Sequence, residues 1–121
     1  MKKISCTFSK ARVDYYLDAE MAMLKKLVHP DRCVLLADQH VFDAHPLKFK
    51  GWNCIVLRSG EEYKVQATVD SVVEQLIALE ADRGTTLVGV GGGVITDLTG
   101  YIASVYMRGI PFGFIPTTIL S

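Results

Sequence analysis

The sequence carries no excess of charge of either sign. Its 121 residues include 13 Lys and Arg against 13 Asp and Glu, so the formal net charge at pH 7 is zero. No segment collects Lys or Arg into a run. Proteins that bind nucleic acid present basic patches to the phosphate backbone, so we expect no nucleic-acid partner.

Long apolar runs are also missing. No stretch reaches the roughly 18 apolar residues that a membrane-spanning helix requires. Met1-Lys2-Lys3 resembles the start of a signal peptide, but the polar residues Ser5, Thr7, Ser9 and Lys10 follow where an apolar segment should stand. We therefore expect no membrane partner and a cytoplasmic location.

Cysteine is scarce and odd in number. Cys6, Cys33 and Cys54 are widely spaced and have apolar neighbours. Buried free thiols in a reducing compartment are the simplest interpretation, which again favours the cytoplasm.

Half of the residues are hydrophobic, which is enough for one domain with a real core. Strand-like and helix-like segments alternate along the chain, and Arg83 and Gly84 are typical of a helix end. The predicted strands cover residues 3–8, 33–37, 52–57, 85–90 and 110–115, and the predicted helices cover residues 16–28, 65–81 and 94–107. This order predicts an α/β fold with a Rossmann-like, mainly parallel sheet and helices on both faces.

Three consecutive glycines, Gly91 to Gly93, stand between a predicted strand and a predicted helix. If the helix starts at Gly93 or Val94, its free N–H groups and its dipole favour an anion, so the segment predicts a phosphate cradle. Asp97 is expected in the first turn, as a ligand-binding carboxylate or as a charge favoured by the dipole. The spacing matches neither GxGxxG nor the GK[ST] ending of a P-loop.

Four polar clusters each follow a predicted strand: Asp38-Gln39-His40, Ser59 to Lys64, Gly91 to Asp97, and Thr117-Thr118. Ligands of parallel sheets collect beyond the carboxyl ends of the strands, so the clusters together could hold a dinucleotide. Taken singly, Glu61 and Lys64 could be a solvated pair, and the threonines could belong to a turn. Arg108 could cap a helix end or bind a phosphate.

The order of four blocks resembles the N-terminal half of 3-dehydroquinate synthase. These blocks are Ser59 to Lys64, Gly91 to Tyr101, Arg108-Gly109, and Pro116 to Leu120, and the similarity runs from about Val34 to the last residue. The resemblance implies an N-terminal domain that binds NAD and a helical C-terminal domain that binds a divalent metal, zinc or cobalt. It also implies conversion of 3-deoxy-arabino-heptulosonate 7-phosphate to 3-dehydroquinate and phosphate in the shikimate pathway, which is a lyase reaction.

The same resemblance implies one cofactor-binding set: Asp38, Ser59, Gly60, Glu61, Lys64, Gly92, Gly93, Val94, Asp97, Thr117 and Thr118. In that set Asp38 belongs to the adenosine end of NAD, the glycine turn to the pyrophosphate, and the threonine pair to the nicotinamide half. Arg108 is implied to contact the phosphate of the sugar-phosphate substrate, from the partner subunit of a homodimer. The sequence departs from the family at His40, Ser59 and Thr96, where asparagine, aspartate and glycine are more common.

The family's metal ligands and catalytic lysines have no counterparts in this sequence. We expect residues 1–121 to be the N-terminal NAD-binding domain of a longer polypeptide, inactive as a fragment. Two alternative enzymes remain: another sugar-phosphate cyclase of the deoxy-inosose or epi-valiolone synthase type, and an NAD-dependent polyol dehydrogenase of the iron-alcohol-dehydrogenase type. A non-enzymatic nucleotide-binding module is a further alternative.

Overall fold

The computed structural model describes residues 21–58 and 66–116. The strands are β1 Cys33–Asp38, β2 Asn53–Leu57, β3 Thr86–Gly91 and β4 Phe112–Pro116. The helices are α1 over residues 21–27, α2 Gln39–Ala44, α3 Gln66–Ala78 and α4 Gly93–Val105. Short 3-10 turns cover Pro30–Arg32, Pro46–Phe49 and Tyr106–Arg108.

All four strands are parallel and stand in the order β2-β1-β3-β4. The chain places β2 on one side of β1 and then crosses over to place β3 on the other side. The order of strands therefore reverses between β1 and β3. Reversals of this kind open a crevice at the carboxyl ends of the two strands, where ligands of α/β proteins bind.

Side chains alternate between two cores, one on each face of the sheet. Val34, Leu36 and Leu87 belong to the core under α3 and α4. Leu35 and Val88, their neighbours along the strands, belong to the core under α1. Helices thus cover both faces, and the predicted Rossmann-like α/β class is confirmed.

Gly89 brings α4 close to the sheet. A Cβ atom at this position would overlap the hydroxyl of Thr99 and lie 3.2 Å from Cγ2 of Ile95. Thr99 is fully buried, and its hydroxyl donates to the carbonyl oxygen of Ile95 at 2.8 Å. The missing side chain therefore sets the distance between β3 and α4, and with it the position of the helix N-terminus.

The predicted end of α3 is wrong. The helix stops at Ala78, and Glu80 takes a positive φ of 61°. The N–H groups of Glu80 and Ala81 donate back to the carbonyls of Ile77 and Leu76 at 2.9 and 3.0 Å, which is the Schellman pattern of helix closure. Glycine is the usual residue there, so the sequence pointed to Gly84 instead.

The other predicted elements within residues 21–58 and 66–116 are confirmed to within two residues at each end. The strand predicted over residues 3–8 and the first part of the helix predicted over 16–28 lie outside the described residues. Among the described helices, none is long and apolar enough to cross a membrane.

Two of the three cysteines lie in the described part of the chain. Cys33 is buried, Cys54 is half-buried, and both are free thiols, as predicted. Burial raises the pKa of the Cys33 thiol to about 12 and that of the Cys54 thiol to about 11, so both stay protonated at neutral pH. Cys6 lies outside the described residues.

Candidate nucleotide-binding site

The carboxyl ends of the four strands meet at one edge of the sheet. Asp38, the last residue of β1, pairs with Leu57 on β2. Gly91, the last residue of β3, pairs with Pro116 on β4. Neighbouring parallel strands lie about 4.8 Å apart, so this edge is about 14 Å wide, with the β1–β3 crevice at its centre.

Asp38 stands on the β1 side of that crevice and is half-buried. It is the N-cap of α2, where its Oδ1 accepts a hydrogen bond from the N–H of His40 at 2.8 Å. An ionised carboxylate has about four acceptor positions and can accept hydrogen bonds from the hydroxyl groups of a ribose.

Gly91 stands on the β3 side and leaves no room for a side chain. A Cβ atom there would lie 3.0 Å from Cγ1 of Ile95 and 3.3 Å from Cβ of Asp38. The backbone of the turn therefore passes directly beside the Asp38 side chain. Because the contact requires glycine, it brings the carboxylate and the start of α4 to the same point in the crevice.

The N-terminus of α4 faces this point without a side-chain cap. Its N-cap residue is Gly92, which has no side chain to bind the first N–H groups. The first backbone bond back along the helix runs from the N–H of Thr96 to the carbonyl of Gly92 at 3.0 Å. Gly93 is exposed, and among the described residues no atom would lie within 4 Å of a Cβ atom at that position. A helix start that its own N-cap side chain does not bind is suited to a phosphate oxygen.

The predicted placement of Asp97 in the first turn is wrong. Since α4 begins at Gly93, Asp97 is its fifth residue, and the first turn contains no acidic residue. The favourable effect of the helix dipole is confined to the first turn, so it does not account for this carboxylate. Asp97 is exposed, and Val94 beside the turn is half-buried.

Arg108 lies at the opposite edge of the sheet. It follows α4, whose 13 residues extend about 20 Å away from the glycine turn. Pro111, just beyond it, bonds to the N–H of Leu87 near the start of β3. Within one chain, the fold therefore does not bring Arg108 to the glycine turn.

The conformation of Arg108 is unusual. Its φ is 67° and that of Met107 is 48°, both in the left-handed region that disfavours residues other than glycine. The side chain is exposed and makes no hydrogen bond or ion pair with any described residue. The N–H of Tyr106 bonds to Ile102, so the backbone closes the end of α4 without the guanidinium.

Six residues of the predicted cofactor-binding set lie outside the described residues: Ser59, Gly60, Glu61, Lys64, Thr117 and Thr118. The strands that precede them in the chain are described. Leu57 ends β2 and Pro116 ends β4, both at the carboxyl edge. The described part of the chain contains no group of three or more His, Cys, Asp or Glu residues that could hold a metal ion, so it does not fit a metal centre.

The sequence analysis did not predict that Gly89 and Gly91 each allow close contact between β3 and the residues packed against it. The signal was their alternation with Val90, which places both glycines on the face of the strand that α4 covers. Alternating glycines in a strand indicate that another backbone approaches closely.

The fold and this crevice define a Rossmann-like α/β nucleotide-binding domain, with the glycine turn at the switch point of the sheet. The model of the family described as 3-dehydroquinate synthase N-terminal matches residues 54–121. This match covers more than half of the sequence, and the chain belongs to that family.

Individual relatives agree with this assignment. The 3-dehydroquinate synthase of Pseudoalteromonas atlantica is 42% identical over 109 residues, covering 88% of this chain and 28% of the relative. A crystal structure of 2-deoxy-scyllo-inosose synthase, complexed with carbaglucose-6-phosphate, NAD+ and Co2+, is 30% identical with a TM-score of 0.62. That likeness covers 79% of this chain and 29% of the synthase.

A dehydrogenase is also similar. The crystal structure of a probable glycerol dehydrogenase from Sinorhizobium meliloti is 27% identical with a TM-score of 0.61, covering 83% of this chain and 26% of that protein. The chain spans about a quarter of the length of the curated relatives it matches.

Proposed function

We propose that this chain forms the NAD-binding part of a 3-dehydroquinate synthase. The enzyme would convert 3-deoxy-arabino-heptulosonate 7-phosphate to 3-dehydroquinate and phosphate, a lyase reaction of the shikimate pathway. The observation that carries the proposal is the close approach of Gly91 to Asp38, where a Cβ atom would lie 3.3 Å from the Asp38 Cβ. This contact would bring a carboxylate that binds ribose and a helix start that binds an anion into one crevice.

The residues of this crevice fit NAD from its adenosine half to its pyrophosphate. Asp38 would accept hydrogen bonds from ribose hydroxyls, and the N–H groups of Gly92, Gly93 and Val94 would donate to the pyrophosphate. Asp97, one turn further along α4, would fix the position of the turn or of a bound hydroxyl. Glu61 and Lys64 after β2 and Thr117 and Thr118 after β4 would complete the binding surface.

When bound, NAD would supply a transient oxidation of one substrate hydroxyl, with the hydride returned before product release. The part played by this chain would be to hold the cofactor, with Thr117 and Thr118 after β4 binding its nicotinamide half. A divalent metal, zinc or cobalt, would be held by residues outside the described part of this chain. On this proposal the enzyme acts in the cytoplasm, and the 121-residue chain alone is inactive.

Arg108 has a separate role in this proposal. Its guanidinium would contact the phosphate of the substrate bound to the partner subunit of a homodimer. Three features support that role: its exposure, its distance of about 20 Å from the glycine turn of its own chain, and its strained backbone. Strained residues that the fold maintains are frequent at binding sites.

Two related activities share this kind of domain. The similarity to 2-deoxy-scyllo-inosose synthase favours another sugar-phosphate cyclase, and the similarity to glycerol dehydrogenase favours an NAD-dependent polyol dehydrogenase. The substrate separates the three activities. A cyclase releases phosphate from a sugar phosphate, whereas a dehydrogenase produces NADH from a polyol.

The deciding assay is phosphate release by the full-length protein. We expect turnover of the heptulosonate phosphate only when NAD and a divalent metal are both present. Two parallel assays test the alternatives: NADH accumulation from glycerol tests for the dehydrogenase, and phosphate release from glucose 6-phosphate tests for the other cyclase. Activity in either of these assays, without turnover of the heptulosonate phosphate, would overturn the proposal.

A further inference from the structure

β4 is one of the two edge strands of the described sheet, and its outer edge has a defined set of backbone groups. Among the described strands, β3 alone pairs with β4. The N–H of Leu87 donates to the carbonyl of Pro111 at 3.0 Å, and Leu87 pairs with Phe112 in the register. Neighbouring residues of a strand point their backbone groups to opposite sides, so the N–H and C=O groups of Phe112 and Phe114 face away from β3. A further strand would bind these groups.

An apolar groove lies between β4 and α1, which we call the α1–β4 groove. Its volume is about 250 Å³, and residues of α1, β3 and β4 line it. Met23 and Leu27 contribute the α1 side and are 58% and 75% exposed. Lys25, on the opposite flank of α1, lines a different cavity together with Trp52. The apolar surface that α1 leaves exposed is therefore on its β4 side, where a further strand would bury it.

The other face of the β4 edge is apolar as well. Phe112 lies on the face that α4 covers, since a Cβ atom on Gly100 of α4 would lie 3.8 Å from Cε2 of Phe112. The ring of Phe114 contacts that of Phe112 edge to face, with centroids 5.7 Å apart. The two residues are 48% and 45% exposed. Exposed aromatic residues on an edge strand favour pairing with a further strand.

The connections of the sheet determine where a strand before α1 can lie. α2 connects β1 to β2 and packs, through Val41 and Phe42, on the same core as Leu24 of α1. Both helices therefore cover one face of the sheet. Crossovers between parallel strands are right-handed, so two crossovers on one face advance in the same direction. Since the crossover through α2 advances from β1 to β2, a crossover through α1 must reach β1 from the β3 side.

Two positions on that side are filled, because β3 pairs with β1 and β4 pairs with β3. The first position open to a parallel strand before α1 is therefore the outer edge of β4. The crossovers through α3 and α4 obey the same rule. They cover the opposite face and advance in the opposite direction, from β2 to β3 and from β3 to β4.

We propose that residues 3–8 form a fifth parallel strand along the outer edge of β4. This segment is the predicted strand before α1, with apolar residues at Ile4, Cys6 and Phe8 and polar residues between them. The apolar set packs in the α1–β4 groove, and the polar set lies on the face of the phenylalanine rings. A six-residue strand and the helix predicted over residues 16–28 are both about 20 Å long, so the chain returns to the start of β1 as a βαβ unit.

Native-state amide hydrogen exchange, measured by NMR on the 121-residue chain, tests the proposal residue by residue. The amides of Gly113 and Ile115 face β3 and serve as internal controls, because the described sheet already pairs them. The amides of Phe112 and Phe114 are expected to exchange about tenfold or more slowly than unprotected amides, because the fifth strand bonds them. Exchange of both at the unprotected rate would overturn the proposal.

A matched pair of variants identifies the segment that occupies the edge. Ile4→Asp places a charge in the apolar groove and is expected to abolish the slow exchange of Phe112 and Phe114, while Gly113 and Ile115 remain protected. Ser5→Asp places the same charge on the opposite side of the fifth strand and should leave the slow exchange unchanged. Slow exchange that survives Ile4→Asp, or is lost equally in both variants, would contradict the proposed strand.

A further measurement on the unmodified chain needs no variant to fold. Nuclear Overhauser contacts are expected between the amides of Phe112 and Phe114 and residues 3–8. Contacts of these amides with another segment would overturn the proposal. Slow exchange that depends on protein concentration, with a dimer in sedimentation, would assign the edge to a second copy of the chain and overturn it too. None of these results bears on the candidate NAD site, because residues 3–8 do not belong to it.

Discussion

The Thr99 hydroxyl occupies the space that a side chain on Gly89 would need. This relationship between one residue of β3 and one residue of α4 holds the helix against the sheet. It therefore controls the position of the uncapped helix start at Gly93, some six residues before Thr99.

Gly89→Ala is expected to destabilise the domain by about 1–3 kcal/mol, the usual cost of overpacking a well-packed core. The added methyl group must displace Thr99 and Ile95, and α4 with them. The urea midpoint measures the effect. Gly113→Ala on β4 is the matched control, because a Cβ atom there would have no neighbour within 4 Å in the part of the chain that the structure describes. Equal midpoints for the two variants would contradict the close contact.

Gly93→Ala separates ligand binding from protein packing. A Cβ atom at Gly93 would lie within 4 Å of no atom of residues 21–58 and 66–116, so the urea midpoint should not fall. If pyrophosphate occupies that space in the full-length protein, the methyl group should weaken NAD binding about tenfold or more, equivalent to about 1.4 kcal/mol. Calorimetric titration with NAD measures the change. An affinity equal to that of the unmodified protein would place the pyrophosphate elsewhere.

Asp97→Ala is expected to weaken NAD binding by about tenfold, the effect of losing a hydrogen bond to a charged group. The residue is exposed in the second turn of α4, and the urea midpoint of the variant measures what its removal costs in stability. Glu74→Gln on the exposed side of α3 is a control for loss of surface charge. Retention of full NAD affinity would show that Asp97 is not part of the cofactor site.

Arg108→Gly is expected to make the domain more stable while it impairs the full-length enzyme. Glycine adopts the φ of 67° without the steric cost that arginine bears, a gain of about 1 kcal/mol in the free energy of unfolding. Loss of the guanidinium should raise the KM for the sugar phosphate. The urea midpoint and steady-state kinetics measure the two effects. Unchanged kinetics would remove Arg108 from the substrate site.

Asp82→Asn is expected to lower stability at pH 7 and to matter less in acid. The N–H of Gly84 donates to the Asp82 carboxylate at 2.8 Å and the Arg32 guanidinium pairs with it at 3.0 Å. The Gly84 hydrogen bond first, and then the charge of Arg32, lower the pKa of Asp82. A lowered pKa in the folded state gives stability that is present above the unfolded-state pKa and is lost as the pH falls through the folded-state pKa.

The difference in urea midpoint between Asp82→Asn and the unmodified protein should therefore shrink below about pH 4. A difference that stays constant down to pH 2 would contradict the assignment.

Much of this protein could be predicted from its sequence. The uninterrupted apolar segment from Cys33 to Ala37 predicted a strand buried on both faces, and each of those residues is buried. Pro30 predicted the end of α1, since the residue before a proline avoids the helical region. The order of strand, glycine turn and helix predicted a helix start at Gly93 or Val94, and α4 begins at Gly93 without a side-chain cap.

Other features depended on contacts between segments that are distant in the sequence. The end of α3 is one: Glu80 has a left-handed conformation that local preference assigns to glycine, and the hydroxyl of the distant Tyr106 donates to the carbonyl oxygen of the next residue, Ala81, at 2.8 Å. The close approach of Gly91 to Asp38 is another, because it joins the end of β3 to the end of β1. Local spacing could not show either feature, since tertiary packing overrides propensity and brings remote residues together.

The sequence by itself determined two features. The alternation of strands and helices follows from the hydrophobic periodicity, and the exposed backbone of the glycine turn follows from the lack of side chains on its glycines. Only the tertiary structure decided which residues meet. Asp38 lies beside Gly91, and Arg108 lies at the edge of the sheet opposite the glycine turn. Both positions depend on the order of strands in the sheet, which is set by packing and not by the order of elements in the chain.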